Sequence, residues 1–335
     1  MIRKIRPFLK WELFLICFFI AEIVIFSMIT PGFLDFNNLI FSLNDFVYIG
    51  LAAIPMTFVI ITGGIDVSVG SVMGLSSITV GVLWMNGLNV WIAMLIALII
   101  CIIAGLFNGL LVAYTEVQPM VITLGTMFLF SGIALVISGG SSATGYEGIS
   151  GFPASFVQLA NGELLGLPNS FWLLVTAVTF FSLLLHLTKY GRQVYLVGMN
   201  IKSARYSGIS TKWILISTYM LAGFGGGISG IILTSYFSSA RSDLGSTAIL
   251  PVITAVVLGG TSILGGRGTI IGTAVASVIV GIMNYGLQMS GLTSEQTTLI
   301  VGIMLVLAVF MRQSNWQFIK KTRKLASLGK AKTDA

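Results

Sequence analysis

The chain has 335 residues, 56% of them hydrophobic and only 9% charged, with 18 Lys and Arg against 11 Asp and Glu. An ordinary soluble domain carries roughly 25% charged residues, so this chain cannot clothe a globular surface, and its apolar residues fall in blocks long enough to cross about 30 Å of hydrocarbon. A soluble enzyme, a nucleic-acid-binding module, a disordered scaffold and a disulfide framework are excluded. The expected fold class is all-α, a polytopic transmembrane helix bundle of about ten spans with both termini cytoplasmic.

The basic opening, Arg3, Lys4, Arg6 and Lys10, precedes an apolar run from Leu13 to Ile29. That run exceeds the 7–15 residues of a signal-peptide core and lacks a small-x-small cleavage site, so it is expected to stay as a first span over 11–29. Glu22 near its centre costs about 3 kcal/mol, but twelve Leu, Ile, Phe or Val at roughly −0.5 kcal/mol each outweigh it. Glu22 is expected to face protein and not lipid. Cys17 and Cys101 sit inside apolar runs and read as small core residues.

The remaining spans are expected over 46–62, 67–85, 91–114, 119–138, 171–187, 213–236, 249–262, 269–289 and 296–311. Loops 30–45, with Asp35 and Asp45, and 139–170, with Glu147 and Glu163, carry no Lys or Arg and read as external. Loop 188–212 carries Lys189, Arg192, Lys202, Arg205 and Lys212 and no acid, so it reads as internal. Lys320, Lys321, Arg323, Lys324, Lys330 and Lys332 close the chain. The expected organisation is a transmembrane domain over 1–315 and a basic cytoplasmic tail over 316–335.

Two stretches break the pattern of plain apolar helices, ITGGIDVSVG at 61–70 and LGGTSILGGRG at 258–268. Glycine costs about 1 kcal/mol in a helix interior, and broken backbone at membrane depth is tolerated only where protein covers it or it lines a polar cavity. Short or Gly-interrupted segments in two halves of a transporter mark a solute path, which makes Gly63, Gly64, Asp66, Gly70, Gly259, Gly260 and Gly266 candidates for the translocation route. Close packing through small residues is the competing explanation for the glycines. For Asp66 it is a carboxylate capping the next span. One offset maps Gly63, Gly64 and Gly70 onto Gly259, Gly260 and Gly266, a weak sign of internal duplication.

No phosphate-binding G-x-x-x-x-G-K-[ST] occurs, the single histidine His186 stands at a span end, no cluster has metal-ligand spacing, and no nucleophile elbow is present. No catalytic residue, metal or cofactor is expected. A proton-coupled secondary carrier is a second possibility on physical grounds, although Glu22 and Asp66 are isolated where such carriers show paired charges. The 25-residue basic loop is too long for a turn and is expected to hold a short helix that docks into a cytosolic partner.

GGIDVSVG at 63–70, GRQVYLVGMN at 191–200 with RYSGI at 205–209, and AVVLGGTSILGGRG at 255–268 resemble the permease subunits of ribose-type carbohydrate ABC importers over nearly the whole chain. Within that family ATGYEGISGFP at 143–153, SYFSSARSDLGS at 235–246 and NYGLQMSG at 284–291 are most similar to the branch that imports autoinducer-2. The resemblance implies a small hydroxylated solute, autoinducer-2 ahead of ribose or another monosaccharide. It implies a heterodimeric pore with a sister permease subunit in the bacterial inner membrane, a cytosolic ATP-binding subunit that hydrolyses ATP, and a periplasmic solute-binding protein. It also implies that the internal loop is the coupling element, with Gly191, Arg192, Asn200, Arg205 and Gly208 as its candidate residues. Where many relatives have Glu-Ala-Ala after the loop asparagine this chain has Ile201-Lys202-Ser203, so contacts around Asn200 do not carry over. In the expected outer loop 237–248, Arg241 and Asp243 are candidates for docking the binding protein, a solvated turn being the alternative.

Overall fold

The computed structural model of the chain describes residues 6–139 and 148–310. Arg3, Lys4, Glu147 and the tail 316–335 lie outside the described residues. Each of the ten expected segments is a helix or contains one. In chain order they are α1 (Arg6–Ile29), a short α2 (Phe36–Phe41), α3 (Leu43–Ile61), α4 (Val69–Met85), α5 (Val90–Tyr114) and α6 (Pro119–Ile137). Then come α7 (Ala154–Asn161), a two-residue hairpin of β1 (Glu163–Leu164) and β2 (Leu167–Pro168), and α8 (Asn169–Leu187). The basic loop holds α9 (Lys189–Met199) and α10 (Ile201–Tyr206), followed by α11 (Thr211–Phe237), α12 (Ile249–Leu258), α13 (Ile270–Met289) and α14 (Ser294–Phe310). Six of these segments are long and apolar enough to cross a membrane: Asn38–Ile61, Val90–Tyr114, Pro119–Ile137, Asn169–Leu187, Thr211–Phe237 and Ile270–Met289.

α3 and α11 form the centre. The most apolar stretch of Asn38–Ile61 is 89% buried, against 22% for α6 and for α8, whose outer faces carry exposed residues such as Phe128 and Phe180. α11 earns its place through the small-residue run GFGGGISG at 223–230. A methyl group on Gly223 would meet the Cys101 carbonyl of α5, one on Gly225 would meet Pro55 and Leu51 of α3, and one on Gly230 would meet Met73 of α4. Three helices thus approach one backbone more closely than any side chain allows. Hydroxyls tie the same contacts, Ser76 donating to the Gly227 carbonyl at 2.8 Å and Ser229 to the Tyr48 carbonyl at 3.0 Å. α1 packs on α13, with Thr30 and Ser290 hydroxyls 2.8 Å apart, and Glu22 is 5% exposed, inside protein as its cost in lipid requires.

The region expected as a span over 249–262 departs from its prediction. α12 has ten residues, about 15 Å of rise, half the hydrocarbon thickness. The segment before it, expected as a free outer loop, descends along α4: Ala240 lies against Gly81, the Ser242 carbonyl against Gly74, and Gly245 against Gly70. Those three glycines cover about 16 Å of α4. Residues 240–258 therefore form a non-helical half of turns followed by a helical half. The mirror arrangement occurs earlier, where α3 ends, residues 62–68 run non-helically, and α4 begins against Gly226 of α11. Periodicity located the helical half of the later segment. It was blind to the non-helical half, because small polar residues facing a glycine stripe look like a surface loop in sequence.

Candidate functional site

The two glycine breaks and the basic loop meet. α3 ends in a Schellman motif, with Gly63 N–H to the Ile60 carbonyl, Gly64 N–H to the Val59 carbonyl, and Gly63 at φ +87°. α12 ends identically, Gly260 N–H to Val257, Thr261 N–H to Val256, and Gly260 at φ +96°. These motifs align Gly63 with Gly260, one residue away from the pairing with Gly259 read from spacing. After the second motif the chain folds back so that Gly266 N–H donates to the Ile61 carbonyl at 2.8 Å. α9 closes on this junction. A methyl group on Gly198 would collide with the Ile61 carbonyl and the Gly266 nitrogen, and the Tyr195 hydroxyl donates to the Gly268 carbonyl at 2.7 Å.

The coupling candidates shape α9 and α10. Thr188 accepts from Gly191 N–H at 3.1 Å to start α9, and Gly191 packs so tightly on the Leu185 carbonyl that no side chain fits. Asn200 accepts from Ser203 N–H at 2.9 Å to start α10, which ends with Gly208 at φ +79°. Val194 and Val197 are buried on one face of α9. Lys189, Arg192, Lys202 and Arg205 are exposed and make no ion pair among the described residues. Leu196, Met199 and Ile209, with Asn200 and Ser203, line a shallow groove of about 180 Å³, and Tyr206 beside it is 92% exposed. A cationic, partly apolar ledge on short capped helices is suited to binding another protein.

Just inside this end lies a buried polar cluster. Asp66, 2% exposed, accepts from the Ser68 N–H at 2.9 Å and the Ser68 hydroxyl at 2.6 Å, and the Asn108 amide donates to the Ser68 hydroxyl at 2.8 Å. Thr123 of α6 serves the same stretch, donating to the Ile65 carbonyl and accepting from Val67 N–H. Asp66 thus braces the turn into α4 by bonding Ser68 at the N-cap position, a local Asx-type contact and not the carboxylate cap on helix N–H groups offered as the alternative in sequence. Gly64 packs under the Tyr219 hydroxyl, so a side chain there would strike it. Gly70 belongs to the contact of α4 with the descending segment and stands apart from Gly63 and Gly64.

Arg241 and Asp243 form an ion pair, Nε to Oδ1 at 2.9 Å. Their side chains are 37% and 53% exposed although their backbone is packed on α4. At the opposite end from α9, a cavity of about 170 Å³ opens between α3, α12, α13 and α14, lined among others by Asp45, Asn284, Tyr285, Gln288, Thr247 and Thr297. Sequence reasoning missed it. Its signal was there in part, since Asn284 and Gln288 stand four apart on one face of an otherwise apolar helix.

Residues 38–309 match the family model described as the permease component of a branched-chain amino acid transport system. The autoinducer 2 import system permease protein LsrD of Salmonella typhimurium is 46% identical over 303 residues, covering 90% of this chain and 91% of that protein. The protein of the same name from Enterobacter sp. is 44% identical over 324 residues, 95% of this chain and 99% of its own, and that from Escherichia coli O9:H4 is 46% identical over 302 residues, 90% and 92%. No solved structure matches the chain. With the glycine breaks, the basic helical loop and the apolar bundle in place, the chain belongs to this family of ABC-importer permeases, and it is a non-catalytic, multi-pass transport subunit of the inner membrane.

Proposed function

We propose that the chain is one half of the pore of an ABC importer for autoinducer-2, working beside a sister permease subunit. The full-length likeness to proteins named for autoinducer 2 import supports the substrate, ahead of ribose or another monosaccharide. The observation that carries the mechanism is the α9 junction, where Gly198, Ile61 and Gly266 join the basic ledge to both glycine breaks through backbone alone. The positive-inside rule puts that ledge in the cytoplasm, with ten spans, both termini cytoplasmic and the cavity end facing out. A cytosolic ATP-binding subunit seats on α9 and α10, contacting Arg192 and Arg205, and hydrolyses the ATP that drives the cycle. Because backbone packed against backbone cannot absorb a displacement, movement of α9 shifts the ends of α3 and α12 together and opens or closes the inner end of the route past Gly63, Gly64, Asp66, Gly259, Gly260 and Gly266. A periplasmic solute-binding protein docks on the outer end near Arg241 and Asp243.

The test is uptake of labelled autoinducer-2 by cells with and without this chain. Uptake that requires the chain, survives collapse of the proton gradient and stops on ATP depletion is the expected result. Dependence on the proton gradient instead would establish a secondary carrier.

A further inference from the structure

Sequence and family leave open where the solute first touches this chain, and the cavity opposite α9 answers in chemical terms. Its walls are α3, α13 and the start of α14, while Thr247 and Pro251 bring the N-terminal end of the half-helix α12 to its floor. No side chain caps that helix end, so it presents backbone N–H character partway down the bundle. Thr297 is 2% exposed, lines the cavity and has a hydroxyl with no hydrogen-bond partner. Buried hydroxyls are normally satisfied, so this one is free to bond a group that enters the cavity. The Asn284 amide nitrogen donates to the Val280 carbonyl at 2.8 Å, which uses one of its two N–H groups and fixes the orientation of the amide. Asp45 at the rim accepts a hydrogen bond from the Tyr236 hydroxyl of α11, which fixes the carboxylate.

From these features, and on the reading of the chain as an importer of a small hydroxylated solute, we propose that this cavity is the outward-facing solute site and that it takes one uncharged, polyhydroxylated ring. Size sets the first limit, because a cavity of about 150 Å³ holds a single benzene ring and this one measures about 170 Å³. Charge sets the second. Among the described residues none lining the cavity is Lys, Arg or His, while Asp45 is a carboxylate, so a phosphorylated sugar or the carboxylate of an amino acid meets the Asp45 charge with no cationic side chain to offset it, only the backbone N–H groups at the start of α12. Hydroxyl groups, which both donate and accept, match the mixture of carboxylate, amides and threonines, and Tyr285 adds an aromatic side chain to the lining. The site therefore selects against branched-chain amino acids, the solutes after which the family is described.

The experiment uses the complete importer in right-side-out membranes. In a Cys17→Ser background, Asn284→Cys is exposed to a membrane-impermeant maleimide with autoinducer-2, D-ribose or L-leucine present, and uptake is measured separately for Asn284→Ala and Gln288→Ala. The proposal expects the introduced thiol to react, a hydroxylated solute to slow that reaction at least fivefold, and leucine to leave it unchanged. Each alanine variant should insert normally and lose about threefold to tenfold in subsaturating uptake, the loss of one neutral hydrogen bond. If the wild-type importer ignores autoinducer-2 while D-ribose protects the thiol, the substrate reading fails and the cavity assignment stands. An unreactive thiol, equal protection by leucine, or wild-type uptake in both alanine variants overturns the assignment.

Discussion

The two ends of the bundle are built on opposite principles. At the α9 end, Gly198, Gly265 and Gly266 let the backbones of α9, the end of α3 and the 262–268 turn meet with no room for a side chain between them, and the nearby polar groups of Asp66 and Ser68 are occupied by one another. At the other end, Asp45, Asn284, Gln288 and Thr297 surround a void of about 170 Å³ and one of them keeps an unused hydroxyl. One end is closed by geometry and the other held open by polarity. On the proposed topology this arrangement is open outward and sealed inward, with force transmission at the sealed end and recognition at the open one. Substitutions that add volume should therefore injure the first most, and substitutions that remove polar atoms the second.

The largest effect is expected at Gly198. Gly198→Val places carbons against the Ile61 carbonyl and the Gly266 nitrogen, both backbone, where overpacking costs about 1–3 kcal/mol and the Gly266–Ile61 hydrogen bond, worth about 1 kcal/mol, is lost as well. Uptake should fall at least tenfold. Gly63→Ala is the sharpening control, since nothing lies within 4 Å of an added methyl group and only its φ of +87° opposes the change. That strain is worth about 1–2 kcal/mol and should reduce thermal stability more than transport at low temperature. Equal transport by wild type and Gly198→Val would remove the basis for a sealed junction.

Next in size is reversal of charge on the ledge. Arg205→Glu and Arg192→Glu alter exposed side chains without ion pairs among the described residues, so folding and insertion should be unchanged. Stimulated ATPase activity and uptake should fall together several-fold, more at low salt than at high. Normal coupling in both variants would separate α9 and α10 from the ATPase. A smaller effect belongs to Asn200→Ala, which removes the cap of α10 and costs about 1 kcal/mol. Hydrogen exchange in residues 201–206 should accelerate about fivefold while α11 stays protected, and an unchanged rate would show that packing alone holds α10.

Much of this was legible in the sequence because a bilayer leaves few alternatives. Apolar runs bounded by Gly, Pro, Asn or charge placed α5 and α6 to within a residue or two, and the lack of acid in 188–212 marked the ledge before its helices were seen. What stayed hidden depends on partners distant in sequence. Gly63 and Gly260 looked like generic breaks, and only the hydrogen bonds to Ile60 and Val257 fix their equivalence. Residues 238–248 looked like a surface loop because their burial comes from Gly70, Gly74 and Gly81, about 170 positions away, whose missing side chains are what admits them. The cavity was invisible for the same reason, since α3, Thr247 before α12, α13 and α14 each contribute a few polar groups that mean little alone.

The smallest effect is expected at Arg241 and Asp243, where the comparison of the two ends is tested at its rim. The pair is formed, with Nε to Oδ1 at 2.9 Å, but both groups are more than a third exposed, so the bond itself contributes under about 1 kcal/mol. Docking is the separate question, because charges at a rim set encounter rate more than affinity. Arg241→Glu should slow association of the loaded binding protein with the importer by a few-fold at low salt, and the difference should vanish as ionic strength approaches 1 M and the Debye length shrinks from about 10 Å to about 3 Å. Uptake at saturating binding protein should be unaffected, since the cavity is unchanged. Association rates that ignore both the reversal and the salt would reduce the pair to a fastening of the descending segment, holding residues 240–245 against α4 and leaving recognition of the binding protein to other parts of the outer end.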